Sequence, residues 1–292
     1  MNDFWILLTA ALVACSCSLL GCFLVLRKMA MIGDAISHSV LPGIVLAFLF
    51  SGSRDSLWMM LGASLIGLVT VFLIQWFHQN GVQSDASIGV VFTALFAAGV
   101  VLVSLYTRQV DLDLDCVLYG EIIHVPWETV EWNGIDIGPK AVWGLGIVLT
   151  LSALIIGLFY KQFKICAFDP AMAAAVGIPV GLFHYLLMGL VSMTTVASFE
   201  SVGAILVVGM LVVPAATAYL LTEKLSRMIL YSMGVGVLSA VLGYLAAVLL
   251  DASIAGCMIV AAGVLFILAL LFSPTHGVVW RKFRRKQATV VG

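Results

Sequence analysis

Apolar runs about twenty residues long, parted by short polar breaks, fill nearly the whole chain. A helix that spans a bilayer needs about 20 mainly apolar residues, with about 17–25 tolerated. That rule predicts spans at roughly 4–26, 29–50, 57–77, 86–106, 141–160, 181–198, 202–222, 228–250 and 253–272. The chain therefore reads as an all-α polytopic membrane protein with about eight to nine transmembrane helices. The count turns on 29–50, which holds two ionisable residues and Pro42, and on the tightly joined pair around Glu200. No extended polar linker interrupts the pattern, and the longest non-spanning stretch is about 107–140. Residues 1–276 are expected to form a single transmembrane domain and 277–292 a basic cytoplasmic tail.

Composition agrees with the pattern. Of 292 residues, 63% are hydrophobic and 10% are charged, against about 25% charged in a soluble domain. A water-soluble fold could not hide that much apolar surface, so the excess faces lipid. Cys15, Cys17, Cys22 and Cys257 lie in apolar runs, where cysteine packs as a small hydrophobe, and no C-x-x-C pair is present. The first run carries Asp3 where a secretion signal would carry a basic residue, and it is expected to span rather than to be cleaved.

The net charge of −1 averages over two sides of a membrane, so the placement of charge is more informative. Nine spans put the termini on opposite sides. The run Arg281, Lys282, Arg284, Arg285 and Lys286 predicts a cytoplasmic C-terminus and therefore an external N-terminus. Arg27, Lys28, Lys161, Lys164, Lys224 and Arg227 then also fall inside, so 11 of the 14 basic residues are cytoplasmic. Seven acidic residues between Asp111 and Asp136 share one outer segment with Trp127 and Trp132. That segment reads as a short helix or loop at the interface, either docking an external partner or serving as a solvated connector.

Two acidic residues remain within the apolar runs, Asp34 and Glu200. A charge at the bilayer centre costs about 2.5–3.5 kcal/mol on insertion scales, so such residues mark functional sites by default. Asp34 and His38 stand four apart in Met31-Ile32-Gly33-Asp34-Ala35-Ile36-Ser37-His38, which puts both on one helix face. A carboxylate and an imidazole one turn apart can grip Mn²⁺, Fe²⁺ or Zn²⁺. An Asp–His hydrogen bond locking two helices and a proton relay are the competing readings. Counted from residue 29, His38 lies about 14 Å into the span, near mid-membrane, with Ser37 and Ser39 adding polarity. Glu200 falls at the hairpin between two spans, where it is a candidate entry or gate residue for cations, or a helix cap. Pro214 is expected to kink the helix that follows. His78, His124, His184 and His276 lie near span ends or in loops and are expected to be solvated.

One inner loop stands out, Phe168-Asp169-Pro170-Ala171-Met172-Ala173-Ala174-Ala175-Val176-Gly177. Asp169 suits an N-cap, Pro170 the first helical position, and Gly177 the stop. A short apolar helix of small residues there suggests docking into a groove on another protein, with a plain connector as the competing reading.

These pieces together resemble a family. Leu26-Arg27-Lys28-Met29-Ala30-Met31 running to His38 is similar to the second-helix signature of membrane permeases from bacterial manganese, zinc and iron ATP-binding-cassette importers. Asp85-Ala86-Ser87-Ile88-Gly89, the Phe168–Gly177 loop, and Ser198-Phe199-Glu200-Ser201-Val202-Gly203 running into Pro214-Ala215-Ala216 resemble it as well. The resemblance implies a dimer of permeases, a homodimer or a pair with a close paralogue, in the bacterial inner membrane. It further implies a cytoplasmic ATPase and an extracytoplasmic metal-binding protein as partners. Asp34 and His38 would belong to the metal site. Asp169, Pro170, Ala171, Ala174 and Gly177 would form the helix that couples to the ATPase.

The chain has no G-x-x-x-x-G-K-[ST] loop, so ATP hydrolysis would belong to a separate subunit and the chain is expected not to be an enzyme. A secondary transporter driven by an ion gradient through Asp34, His38 and Glu200 is the alternative. An intramembrane metallohydrolase would need a cluster such as H-E-x-x-H, which is missing. Neither a permanent cofactor nor a nucleic-acid partner is expected, only transported metal and the lipid bilayer. Asp/His ligation accepts both Mn²⁺ and Zn²⁺, and overall resemblance puts manganese first.

Overall fold

The structure, a computed structural model, describes residues 2–51, 56–106, 122–127, 129–132 and 135–273. In chain order the helices are α1 (Asn2–Leu26), α2 (Met31–Ser39), α3 (Leu41–Ser51), α4 (Ser56–Gln79), α5 (Ser84–Tyr106), α6 (Lys140–Leu158), α7 (Tyr160–Phe168), α8 (Pro170–Ala175), α9 (Val180–Val202), α10 (Ala204–Leu221), α11 (Leu225–Leu250) and α12 (Ile254–Phe272). With α2 and α3 taken as one broken span, nine segments among the described residues are long and apolar enough to cross a membrane. These match the nine predicted runs in place and order. The tail 277–292, with its five basic residues and His276 just before it, lies outside the described residues.

Helix is the form such sequences must take in lipid, because every backbone N–H and C=O has to be satisfied within the segment. Several buried hydroxyls follow the same rule. Thr9, Ser16, Ser37 and Thr217 each donate to the carbonyl four residues back, so their polarity is spent inside their own helix.

Two groups of helices make up the bundle. Helix α1 packs on α10 and α11, which in turn pack against α12, while α2, α3, α4 and α5 pack on one another. Helix α9 lies between the groups, touching α1, α2, α4 and α6. The α1–α10 crossing is close because Gly21 leaves room for the Leu211 carbonyl where any Cβ would collide. At Gly203, a single residue with φ 79° separates α9 from α10. Only glycine takes that angle without strain.

The outer segment differs from expectation. Where a short helix or loop was expected, Val125–Trp127 forms one 3₁₀ turn and Thr129–Trp132 pairs antiparallel with Ile135–Pro139 as β1 and β2. Gly138 of this hairpin rests on the Trp5 ring, where a Cβ would approach to 2.7 Å, so the hairpin seats on the start of α1. Residues 107–121, which hold much of the acidic cluster, lie outside the described residues.

Candidate metal-passage site

The break between α2 and α3 is written in the sequence. Pro42 has no N–H to return to the carbonyl four residues earlier, which belongs to His38. Helix α2 ends at Ser39, and the N–H groups of Gly43 and Ile44 both turn to the Val40 carbonyl. A backbone oxygen is thereby left without its helical donor on the same residue that carries the imidazole.

Asp34 and His38 face each other as their spacing predicts. Asp34 Oδ1 lies 3.5 Å from His38 Nε2, and both side chains are 37% exposed. The opposite face of α2, with Ile32, Ala35 and Ile36, is buried. The imidazole leans on α5, its ring centroid 5.8 Å from that of Phe92 and 6.3 Å from that of Phe96. Apolar walls on one side and an opening on the other hold the pair at a surface rather than inside this subunit.

The separation suits a bound cation. With about 2.1 Å to each donor, as for Zn²⁺ or slightly longer for Mn²⁺, a 3.5 Å span subtends about 110° at the metal. That is a tetrahedral angle and a modest opening of an octahedral one. No group of three or more His, Cys, Asp or Glu side chains occurs among the described residues, so the pair offers two protein ligands and leaves the other positions open.

Two expectations about the surroundings change. Ser37 donates to the Gly33 carbonyl, and Ser39 donates to the Ile36 carbonyl while accepting from Thr70. Both hydroxyls are therefore committed elsewhere and add nothing to the pair. Because α2 begins at Met31, His38 lies about 10 Å from the helix start rather than 14.

Glu200 belongs to the last turn of α9, three residues before the Gly203 joint, and not to the turn itself. The N-cap of α10 is Gly203, with no side-chain cap. The Pro214 kink site lies inside α10, with its ring buried.

The short helix α8 forms as its sequence dictates. Asp169 accepts a hydrogen bond from the Met172 N–H at 2.9 Å, Pro170 takes the first helical position, and Gly177 ends the helix at φ 85°. Only Ala173 turns inward; Ala171, Met172, Ala174 and Val176 are exposed. A six-residue helix thus presents an apolar face that no other described residue covers.

One expectation fails. His184 is not solvated but 8% exposed, in the second turn of α9. Its Nδ1 lies 3.4 Å from Nη1 of Arg27, itself half-buried at the end of α1. Burial lowers the Arg27 pKa from its ordinary value, with the nearby Cys166 sulfur pulling the other way. The Cys166 thiol is raised, chiefly by burial, and Arg27 opposes that rise. Around this group Phe23, Phe163 and Phe183 stack with centroids 5.8 and 5.3 Å apart. Position near a span end concealed it, since a histidine one turn inside a helix looks the same in sequence whether it faces water or a neighbour. Among the other histidines, His78 and His124 are exposed as expected.

Comparison with known proteins fits this geometry. The family described as the ABC 3 transport family matches residues 3–273. The chain is 56% identical over 282 residues to the manganese transport system membrane protein MntD of Bacillus subtilis, covering 97% of this chain and 96% of that protein. It is 43% identical to the zinc transport system membrane protein TroD of Treponema pallidum, covering 94% and 75%. Among solved structures, PsaBC from Streptococcus pneumoniae in complex with Fab contains a chain with TM-score 0.80 and 31% identity, covering 98% of this chain and 95% of that one.

Proposed function

The chain belongs to the ABC 3 transport family, and we propose that it is the membrane-spanning subunit of an ATP-driven importer of divalent transition-metal ions, manganese first and zinc next. The observation that carries this reading is the Asp34–His38 pair, an O/N couple at metal-bridging distance on an open face of a broken membrane helix.

The pair works by exchange. In the empty site the His38 Nε2 proton bridges to the Asp34 carboxylate. An arriving cation displaces that proton and takes both lone pairs. Two ligands bind loosely enough to release what they hold, as a passage site requires. The half-exposed face leaves room for a second subunit, a copy or a close paralogue, to bring its own pair to the same ion. Glu200, near the joint of α9 and α10, serves as the entry residue on the outer side.

Partners follow from the surfaces. The exposed apolar face of α8 suits the groove of a cytoplasmic ATP-binding-cassette ATPase, with Asp169, Pro170, Ala171, Ala174 and Gly177 building and ending that helix. An extracytoplasmic metal-binding protein delivers the ion. Basic residues at the end of α1, in α7 and at the start of α11 support a cytoplasmic assignment for that side and an external N-terminus, in the cell membrane of a bacterium. The test is radiolabelled Mn²⁺ and Zn²⁺ uptake by cells carrying the whole importer, with Asp34→Ala and His38→Ala. Loss of uptake in both variants is expected. Wild-type uptake in both sinks the site, and uptake by the purified chain without an ATPase sinks the ATP-driven reading.

A further inference from the structure

We infer that Arg27 and His184 form a positioning latch that carries displacement of α8 to the root of α2, the helix bearing Asp34 and His38. The inference rests on the passage-site reading above and assigns it a mechanical connection.

The chain path makes the connection short. Helix α1 stops at a tight joint in which Lys28 N–H donates to the Val25 carbonyl and Met29 N–H to that of Leu24, with Lys28 at φ 57°. This is a Schellman stop built without glycine, and Arg27 is its capping residue. Four residues later α2 begins, and Asp34 lies in its first turn. Helix α8 ends in the same kind of stop, with Gly177 N–H to the Ala174 carbonyl and Ile178 N–H to that of Ala173. Pro179 then caps the start of α9, and Phe183 N–H returns to the Pro179 carbonyl. Both joints are held by paired backbone bonds, so a push on one end moves the other as a unit. Arg27 and His184 each stand beside one joint, and their contact at 3.4 Å ties the two together.

The hydrogen bonding of the pair is one-sided. Arginine only donates, so Nδ1 of His184 is the acceptor and the ring proton is on Nε2. Nε and Nη2 of Arg27 and Nε2 of His184 are buried and find no acceptor among the described residues. Three buried donors without acceptors mark a contact that a small shift can remake, because the pair gains by any movement that brings an oxygen to it.

The experiment uses the complete importer, permease with its ATPase and external binding protein, in proteoliposomes. Mn²⁺ uptake and ATP hydrolysis are measured on the same sample. Arg27→Ala and His184→Ala are expected to keep hydrolysis within about twofold while uptake per ATP falls at least about tenfold. The double variant should be no worse than either single one. His184→Gln, whose amide oxygen can accept from Nη1, should restore most of the ratio. Unchanged uptake per ATP overturns the latch. So does a parallel fall of uptake and hydrolysis with no rescue by glutamine, which marks a merely structural role. Should Arg27→Ala fail to assemble, His184→Ala against His184→Gln decides alone. Failure of the passage-site reading looks different: full uptake in Asp34→Ala, whatever the ratio in the Arg27 and His184 variants.

Discussion

The ring of Pro42 lies against Gly99 of α5, where a Cβ would sit 2.8 Å from the proline Cδ. The proline thus does two things at once, freeing the His38 carbonyl and fixing the α2–α3 break against a neighbouring helix. Pro42→Ala restores a backbone bond worth about 1 kcal/mol, so the variant should be no less heat-stable than the parent. Its uptake should nevertheless fall on the order of tenfold, because straightening the break moves the His38 ring. Gly99→Val pushes on the same contact from the other side and should lower uptake as well. Parental uptake in Pro42→Ala would show that the break has no part in transport.

Asp34 and His38 invite the question of whether their contact holds the fold or serves an ion. A half-exposed ion pair is worth about 0–1 kcal/mol, so Asp34→Asn and His38→Gln should leave the melting temperature of the purified importer nearly unchanged. Metal uptake should fall by at least about tenfold in each. Equilibrium Mn²⁺ binding to the ATP-free complex, followed by electron paramagnetic resonance, should weaken as the pH is lowered, since protons and metal compete for Nε2. A stability loss matching the uptake loss would instead support the locking role.

Much of this is legible in the sequence. The nine spans follow from lipid chemistry, which allows few alternatives, and the α8 caps follow from side chains that act on their immediate neighbours. Asp34 and His38 also depend only on helical spacing. What escaped notice depends on contacts between distant segments. His184 looked like any span-end histidine until Arg27, 157 positions away, was found beside it. Ser37 and Ser39 read as contributors to the site in sequence, but their hydroxyls are committed to the Gly33 carbonyl and to Ile36 and Thr70. The outer hairpin escaped because Trp127 and Trp132 fit an interfacial helix equally well, and its seat on Trp5 is a long-range contact.

Helix α8 exposes Met172 and Ala174 while Asp169 caps its start. Met172→Glu and Ala174→Glu put charge on the apolar face without touching the buried side, so the chain should insert and fold as before. Each should lose the ATPase on affinity purification of the importer. Asp169→Ala removes a cap worth about 1 kcal/mol and should weaken ATPase retention less than either glutamate. Full retention of the ATPase in both glutamate variants would move the docking surface elsewhere.

The α1–α10 crossing offers a sharper test of the fold itself. A Cβ at Gly21 would collide with the Leu211 carbonyl, and backbone on both sides leaves no flexible side chain to yield. Gly263, inside α12, has open space where a Cβ would stand. Both glycines sit inside strongly apolar helices, so composition alone would not separate their substitutions. The crossing separates them. Gly21→Val should destabilise by several kcal/mol through overpacking against rigid backbone, at or beyond the usual cost of about 1–3 kcal/mol. Gly263→Ala should instead stabilise by about 0.5–1 kcal/mol through lost backbone freedom in the unfolded chain. Fluorescence-detected size-exclusion of detergent-extracted protein after a heat step measures both. A monodisperse, parent-like Gly21→Val would mean that α1 and α10 do not meet at this point.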